Sequence, residues 1–278
     1  MRLHGQDQSQ LSEDILFLFQ KRFKTSGLNS QLRQDNSKIN PNGLNLTSTM
    51  YHSLSCFASD ADKIILGEKE VQDKIEDLTF KGTTTIGVVS KDGVILASDT
   101  RVTMGSFIAH KKGKKVHKID DHLAMTISGN VADAQQTVEI LKANARLYRL
   151  ENKRPMPVKS AARLIANLFF STRFAPMIAQ ILVGGLDESG PHIYALDPFG
   201  SVTEEKCVAT GSGSPVAYGV LEDKYKEDIP INEALPIVVQ SVISAMKRDA
   251  ASGDSFDVSI IDKEGYRELG DEQKKQIL

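Results

Sequence analysis

The hydrophobic pattern divides the chain at Thr83. Beyond it, "TTIGVVS" and "VILASDT" are short runs rich in β-branched residues, and the "KDG" between them predicts a hairpin. "KVHKID" and "LAMTISG" predict a second pair of strands. "VADAQQTVEILKANARLYRL" then places Val131, Ala134, Val138, Leu141, Ala145 and Leu150 at helical spacing, and Pro155 and Pro157 end that helix. "VKSAARLIANLFFSTRF" predicts another helix. "IAQILVGGLD" and "HIYALDP" predict a hairpin, and the turn "DPFG" leads into "SVTEEKCVAT". Two more helices follow, "SPVAYGVLEDKY" and "NEALPIVVQSVISAMKRDA". A last hairpin is formed by "FDVSIID" and "YREL".

Strands and helices therefore come in groups of hairpins and helix pairs. They do not alternate singly, as a parallel sheet requires. This order predicts an α+β fold: a four-layer α-β-β-α sandwich of two antiparallel sheets flanked by helices.

The first 82 residues have a different texture. "ILFLF" follows "LSED" and predicts a short capped helix, but it is too short for a signal-peptide core. Residues 26–49 contain 11 Asn, Gln or Ser in 24 positions and are predicted to be disordered, because they bury too little to offset chain entropy. Residues 60–77 are charged and weakly helical. The segment reads as a leader, with Met50 as an alternative start that would remove residues 1–49. Those 49 residues are expected to be dispensable for assembly and activity.

Composition excludes several classes. The 34 Lys and Arg against 36 Asp and Glu leave no basic excess for nucleic acid. No apolar run reaches the roughly 18 residues that span a membrane. Two cysteines, Cys56 and Cys207, form no disulfide framework, which points to a reducing, cytoplasmic setting. His117 and His122 lack a metal-binding motif, and no metal or other cofactor is expected. There is no G-x-S-x-G and no phosphate-loop motif, and "TGSGSPVAYG" lacks the third glycine of a dinucleotide fingerprint.

The "GTTT" at 82–85 stands out. Read plainly, Thr83 is a strand threonine, Lys115 one of five lysines on a solvated loop, Asp99 a turn residue and "GSGS" a helix cap. Read chemically, a threonine is a poor nucleophile in mid-chain but a good one at a chain N-terminus. There its own amine, with a pKa of about 7.7–8.0, serves as the base. A neighbouring lysine would lower that pKa and enlarge the neutral fraction. Such an enzyme must be made with a leader that is cut away, and Gly82 suits the cut because glycine accepts strained backbone. The leader and "GTTT" then explain each other.

Residues 83–278 closely resemble the β-subunit of the archaeal 20S proteasome, an N-terminal-nucleophile hydrolase. The resemblance rests on "GTTTIGVVSKDGVILASDTRVTMG", "GKKVHKI", "MTISGNVADAQ", "LVGGLD", "ATGSGSPVAYGVLE" and "KRDAASGD". It implies a threonine endopeptidase made as a self-processing precursor, in which residues 1–82 form the propeptide and 83–278 the catalytic domain. Thr83 matches the nucleophile, released by cleavage after Gly82. Asp99 matches the carboxylate that orients the lysine, and Lys115 matches that lysine. Gly129 matches the oxyanion-binding N–H, worth roughly 3 kcal/mol by analogy. Ser212, Asp249 and Ser252 match the network around the threonine amine. Val102, Ile127 and Val131 lie near substrate-pocket positions, implying an apolar preference. Lys115→Ala and Asp99→Asn are each expected to abolish or severely reduce peptide hydrolysis with little loss of folding. The implied partners are α-subunits, other β-subunits in seven-membered rings, an ATPase cap and unfolded polypeptide substrates. Two alternatives stand beside this reading: a non-catalytic structural ring subunit, and a related N-terminal-nucleophile enzyme.

Overall fold

The computed structural model describes residues 82–172 and 177–277. The leader helix, the predicted disorder of 26–49 and the weak helicity of 60–77 all fall outside the described residues. In chain order the elements are β1 (Thr85–Ser90), β2 (Gly93–Asp99), β3 (Val102–Met104), β4 (Phe107–His110), β5 (Val116–Asp120) and β6 (Leu123–Gly129). Then come α1 (Val131–Asn152), α2 (Val158–Ser171), β7 (Ala179–Asp187), β8 (Gly190–Leu196), β9 (Val202–Glu205) and β10 (Cys207–Thr210). The chain continues with α3 (Ser214–Lys224), α4 (Ile231–Arg248), β11 (Phe256–Asp262), β12 (Gly265–Glu268) and α5 (Asp271–Ile277).

One sheet runs β10-β1-β2-β11-β12 and the other β5-β6-β7-β8-β9, with every pair antiparallel. Three layers of apolar contact hold them. Leu123, Met125, Ile181 and Val183 meet Val138, Leu141, Ile165 and Phe169 of α1 and α2. Ile86, Ile95 and Val258 meet Leu221, Val238 and Val242 of α3 and α4. Between the sheets lie Val94, Leu96, Ala124, Leu182 and Ile193. This is the four-layer α-β-β-α sandwich expected from the sequence. It also explains why β2 is apolar without alternation. Ile95 and Ala97 face helices while Val94 and Leu96 face the other sheet, so both faces are buried.

The structure adds local detail that the sequence reading left open. "SVTEEKCVAT" is two strands, β9 and β10, and they belong to different sheets. The chain changes sheets at Lys206, whose carbonyl accepts from the Val89 N–H. Of the helical apolar positions in α1, Ala134, Val138, Leu141 and Ala145 are buried, whereas Val131 and Leu150 are exposed. The β3–β4 ribbon and α5 are additions. Among the described residues no helix is long and apolar enough to cross a membrane.

Candidate active site

Antiparallel order brings alternate strand ends together. The start of β1 lies beside the ends of β2 and β10, and the start of β11 beside the end of β2, as Thr85↔Ser98, Thr85↔Thr210 and Phe256↔Asp99 register. In the facing sheet the start of β5 pairs near the end of β6. Thr83, Asp99, Lys115, Gly129 and Ser212 sit at or next to these ends.

The three consecutive threonines have three uses. Thr83 Oγ1 donates to Asp99 Oδ1 at 3.4 Å. Thr84 points the opposite way, as strand alternation requires, and its hydroxyl meets Ser252 Oγ at 2.7 Å. Thr85 Oγ1 meets Thr210 Oγ1 at 2.6 Å and accepts from Thr126 Oγ1 at 3.1 Å, tying the two sheets together near the site.

Asp99 is the hub. It is fully buried, and Lys115 Nζ donates to its Oδ1 at 2.7 Å. The backbone N–H groups of Thr84, Arg101 and Gly253 donate to it at 2.9, 3.0 and 3.1 Å. A carboxylate with this many donors is fixed in one orientation. Lys115 is itself buried. Desolvation lowers its pKa below the usual lysine value, against the opposing pull of Asp99 and, more weakly, Asp249.

A second network approaches Thr83 from the turn after α4. Asp249 Oδ2 accepts from Ser212 Oγ and from Ser252 Oγ, each at 2.6 Å. A hydroxyl has one proton to give. Ser212, having given its proton to Asp249, accepts from the Thr83 N–H at 3.2 Å, and Ser252 accepts from Thr84. Asp249 therefore sets the direction of the whole chain of hydrogen bonds.

Gly129 ends β6 with φ of 125°, and a Cβ there would overlap the Ile178 carbonyl oxygen. No other residue fits this position. At Gly82 the constraint is space, which replaces the expected need for backbone strain: a Cβ would overlap Ala251 Cβ.

A cavity of about 630 Å³ joins these parts, and Gly82, Thr83, Lys115 and Gly129 border it. Val102, Ile127 and Val131, the three pocket positions expected from the sequence, line it too. His117 and Gln135 also line it and were missed as site residues. The signals were there. His117 is two residues from Lys115 and so on the same strand face, and Gln135 lies one helical turn from Val131. Burial, then Lys142 and Lys114, lower the His117 pKa, so the ring is neutral at pH 7. A second cavity of about 700 Å³ opens at the other end of the strands, around the β5–β6, β7–β8 and β11–β12 turns. It is lined by mixed charges and includes none of the threonine network.

The layered sandwich, with a threonine after a glycine at one end of its first strand, defines an N-terminal-nucleophile hydrolase fold. A family model described as "Proteasome subunit" matches residues 79–261, beginning just ahead of Thr83. A "Proteasome subunit beta" of Methanosarcina barkeri is 49% identical over 202 residues, covering 72% of this chain and 96% of the relative. One from Methanothermobacter thermautotrophicus is 49% identical over 196 residues, covering 70% and 93%. "Proteasome subunit beta 2" of Nitrosopumilus maritimus is 44% identical over 208 residues, covering 75% and 99%. The chain belongs to the proteasome subunit family, as a β-type member.

Proposed function

We propose that this β-type chain is catalytic, a threonine endopeptidase that removes its own leader by cutting between Gly82 and Thr83. The observation that carries the proposal is the Asp99 carboxylate oxygen shared by the Thr83 hydroxyl and the Lys115 ammonium. A purely structural subunit has no need to bury a lysine–aspartate pair against a threonine hydroxyl, since buried ion pairs add little net stability.

In the mature chain the freed Thr83 amine takes the hydroxyl proton as Oγ1 attacks the substrate carbonyl. Lys115, fixed by Asp99, lowers the pKa of the amine so that more of it is neutral and free to take a proton, and stabilises charge. The Gly129 N–H receives the oxyanion. Ser212, held by Asp249, orients the amine. The apolar wall of Val102, Ile127 and Val131, with the neutral His117 beside it, favours an apolar side chain before the cut.

The site is useful only if confined, so the reading includes assembly. The chain would join other β-subunits in seven-membered rings against α-subunits, with an ATPase cap feeding unfolded polypeptide. Exposed large apolar residues, among them Phe107, Leu147, Leu150 and Phe199, support a surface meant to be covered.

The direct test is covalent capture. The chain, co-expressed with an α-subunit, is treated with a peptide carrying an electrophile at its C-terminus, and the modified residue is mapped by mass spectrometry. Modification at Thr83 is expected, and active particles modified elsewhere would refute the assignment. A thiol is a poor rival nucleophile. Burial, with Glu222 and Glu205 nearby, pushes the Cys207 pKa up to about 12, so the group is protonated at pH 8. Iodoacetamide at pH 8 is therefore expected to leave Cys207 unlabelled and peptidase activity intact, and to label Cys207 fully once urea unfolds the chain.

A further inference from the structure

Gly82 is held from both sides although it has no side chain of its own. Its N–H donates to the hydroxyl of Thr103, on β3, at 3.2 Å in a buried setting. Its α-carbon is pressed against Ala251 so closely that no Cβ fits. The next N–H along, that of Thr83, donates to Ser212 Oγ. The two amide groups flanking the Gly82 carbonyl are thus each fixed by a hydroxyl from a different element. Space demands glycine at this position, and glycine is the residue with the greatest rotational freedom. Without an external hold, the Gly82 carbonyl would sample many orientations relative to the Thr83 hydroxyl.

We propose that Thr103 is a positioning residue for removal of the leader: its hydroxyl fixes Gly82 so that the Gly82 carbonyl carbon faces Thr83 Oγ1. This rests on the self-processing reading above and adds a residue that acts on one of its two reactions. In the cut, the Thr83 hydroxyl loses its proton and Oγ1 bonds to the Gly82 carbonyl carbon. The Gly82–Thr83 C–N bond then breaks, and the nitrogen takes up a proton to become the amine. Water opens the resulting ester, releasing the leader as a carboxylic acid and restoring the hydroxyl. Orientation contributes much of the rate of such an intramolecular attack. Once Gly82 has left, its contact with Thr103 no longer exists. Turnover of peptides by the mature chain therefore does not depend on that bond.

The test uses full-length chains co-expressed with an α-subunit. Leader removal is followed by intact mass over time, and peptidase rate is expressed per chain carrying a free Thr83. Thr103→Val keeps the shape and loses the hydroxyl, leaving the buried Gly82 N–H without its acceptor. Leader removal is expected to slow about tenfold, with unchanged yield of assembled particle and unchanged turnover per free Thr83. Thr103→Ser keeps the hydroxyl and is expected to mature at close to the wild-type rate. Wild-type maturation in the valine variant would overturn the proposal. So would a parallel fall in turnover per free Thr83, or failure of serine to rescue. If the wild-type chain itself never loses its leader, the self-processing reading fails instead, a result distinct from any of these.

Discussion

Replacing Thr83 with alanine is expected to leave an assembled particle that keeps its leader and hydrolyses no peptide. The substitution removes one hydroxyl, and with it the atom that attacks both Gly82 and substrate. Removing a nucleophile from a comparable hydrolytic set costs about 10⁶-fold in turnover, so activity should fall to background. Folding should be nearly unaffected. The lost hydrogen bond, Thr83 Oγ1 to Asp99, is long at 3.4 Å, and Asp99 retains its other donors. Intact mass separates the outcomes, provided no second active β-subunit is present. Full leader removal in this variant would mean that another protease makes the cut.

The second large effect belongs to the Lys115–Asp99 pair, whose two halves behave differently. Lys115→Ala removes the ammonium group beside Thr83 and should lower peptide turnover by about 10²–10⁴-fold, the usual worth of a proton-transfer group. Asp99 then remains anchored by the N–H groups of Thr84, Arg101 and Gly253, so the strand ends keep their places. Asp99→Asn is the harsher change. It removes a charge that compensates a buried lysine and replaces an acceptor oxygen with an NH2 donor that faces donors converging on it. Breaking a buried pair from one side costs about 3–5 kcal/mol. Sequence alone suggests little effect on folding for either change. The convergence of three backbone N–H groups on Asp99 revises that for Asp99→Asn: loss of activity should come with a clear drop in denaturation midpoint. Equal stability of the two variants, measured side by side, would contradict this difference. Near-wild-type turnover in Lys115→Ala would remove Lys115 from the mechanism.

The strand and helix periods reveal most of the layered fold because nearly every element buries at least one face. Where that condition fails, the pattern gives no guidance. The β3–β4 ribbon exposes Met104 and Phe107 and buries a polar residue, Thr103, so it has no apolar face for the pattern to reveal. Helix α5 is seven residues long and buries none. The break between β9 and β10 is set by which sheet each half joins, and a continuous run of strand formers does not record partners. Val131 fits the helical period of the α1 core yet lines the cavity, because the helix starts at the mouth of the site. For the chemistry, Thr83, Asp99 and Lys115 are legible as a set only through resemblance, since each alone is ordinary. Thr103 is not legible at all. It is a threonine in a short strand, and only the fold brings its hydroxyl to Gly82, 21 residues earlier.

The most direct measurement is the N-terminal sequence and intact mass of the chain recovered from particles assembled with an α-subunit. Self-processing at the proposed bond gives a chain that begins Thr83-Thr84-Thr85-Ile86 and has the mass of residues 83–278. A peptidase-active particle whose β chains begin at any other residue, or still carry Gly82, would contradict it.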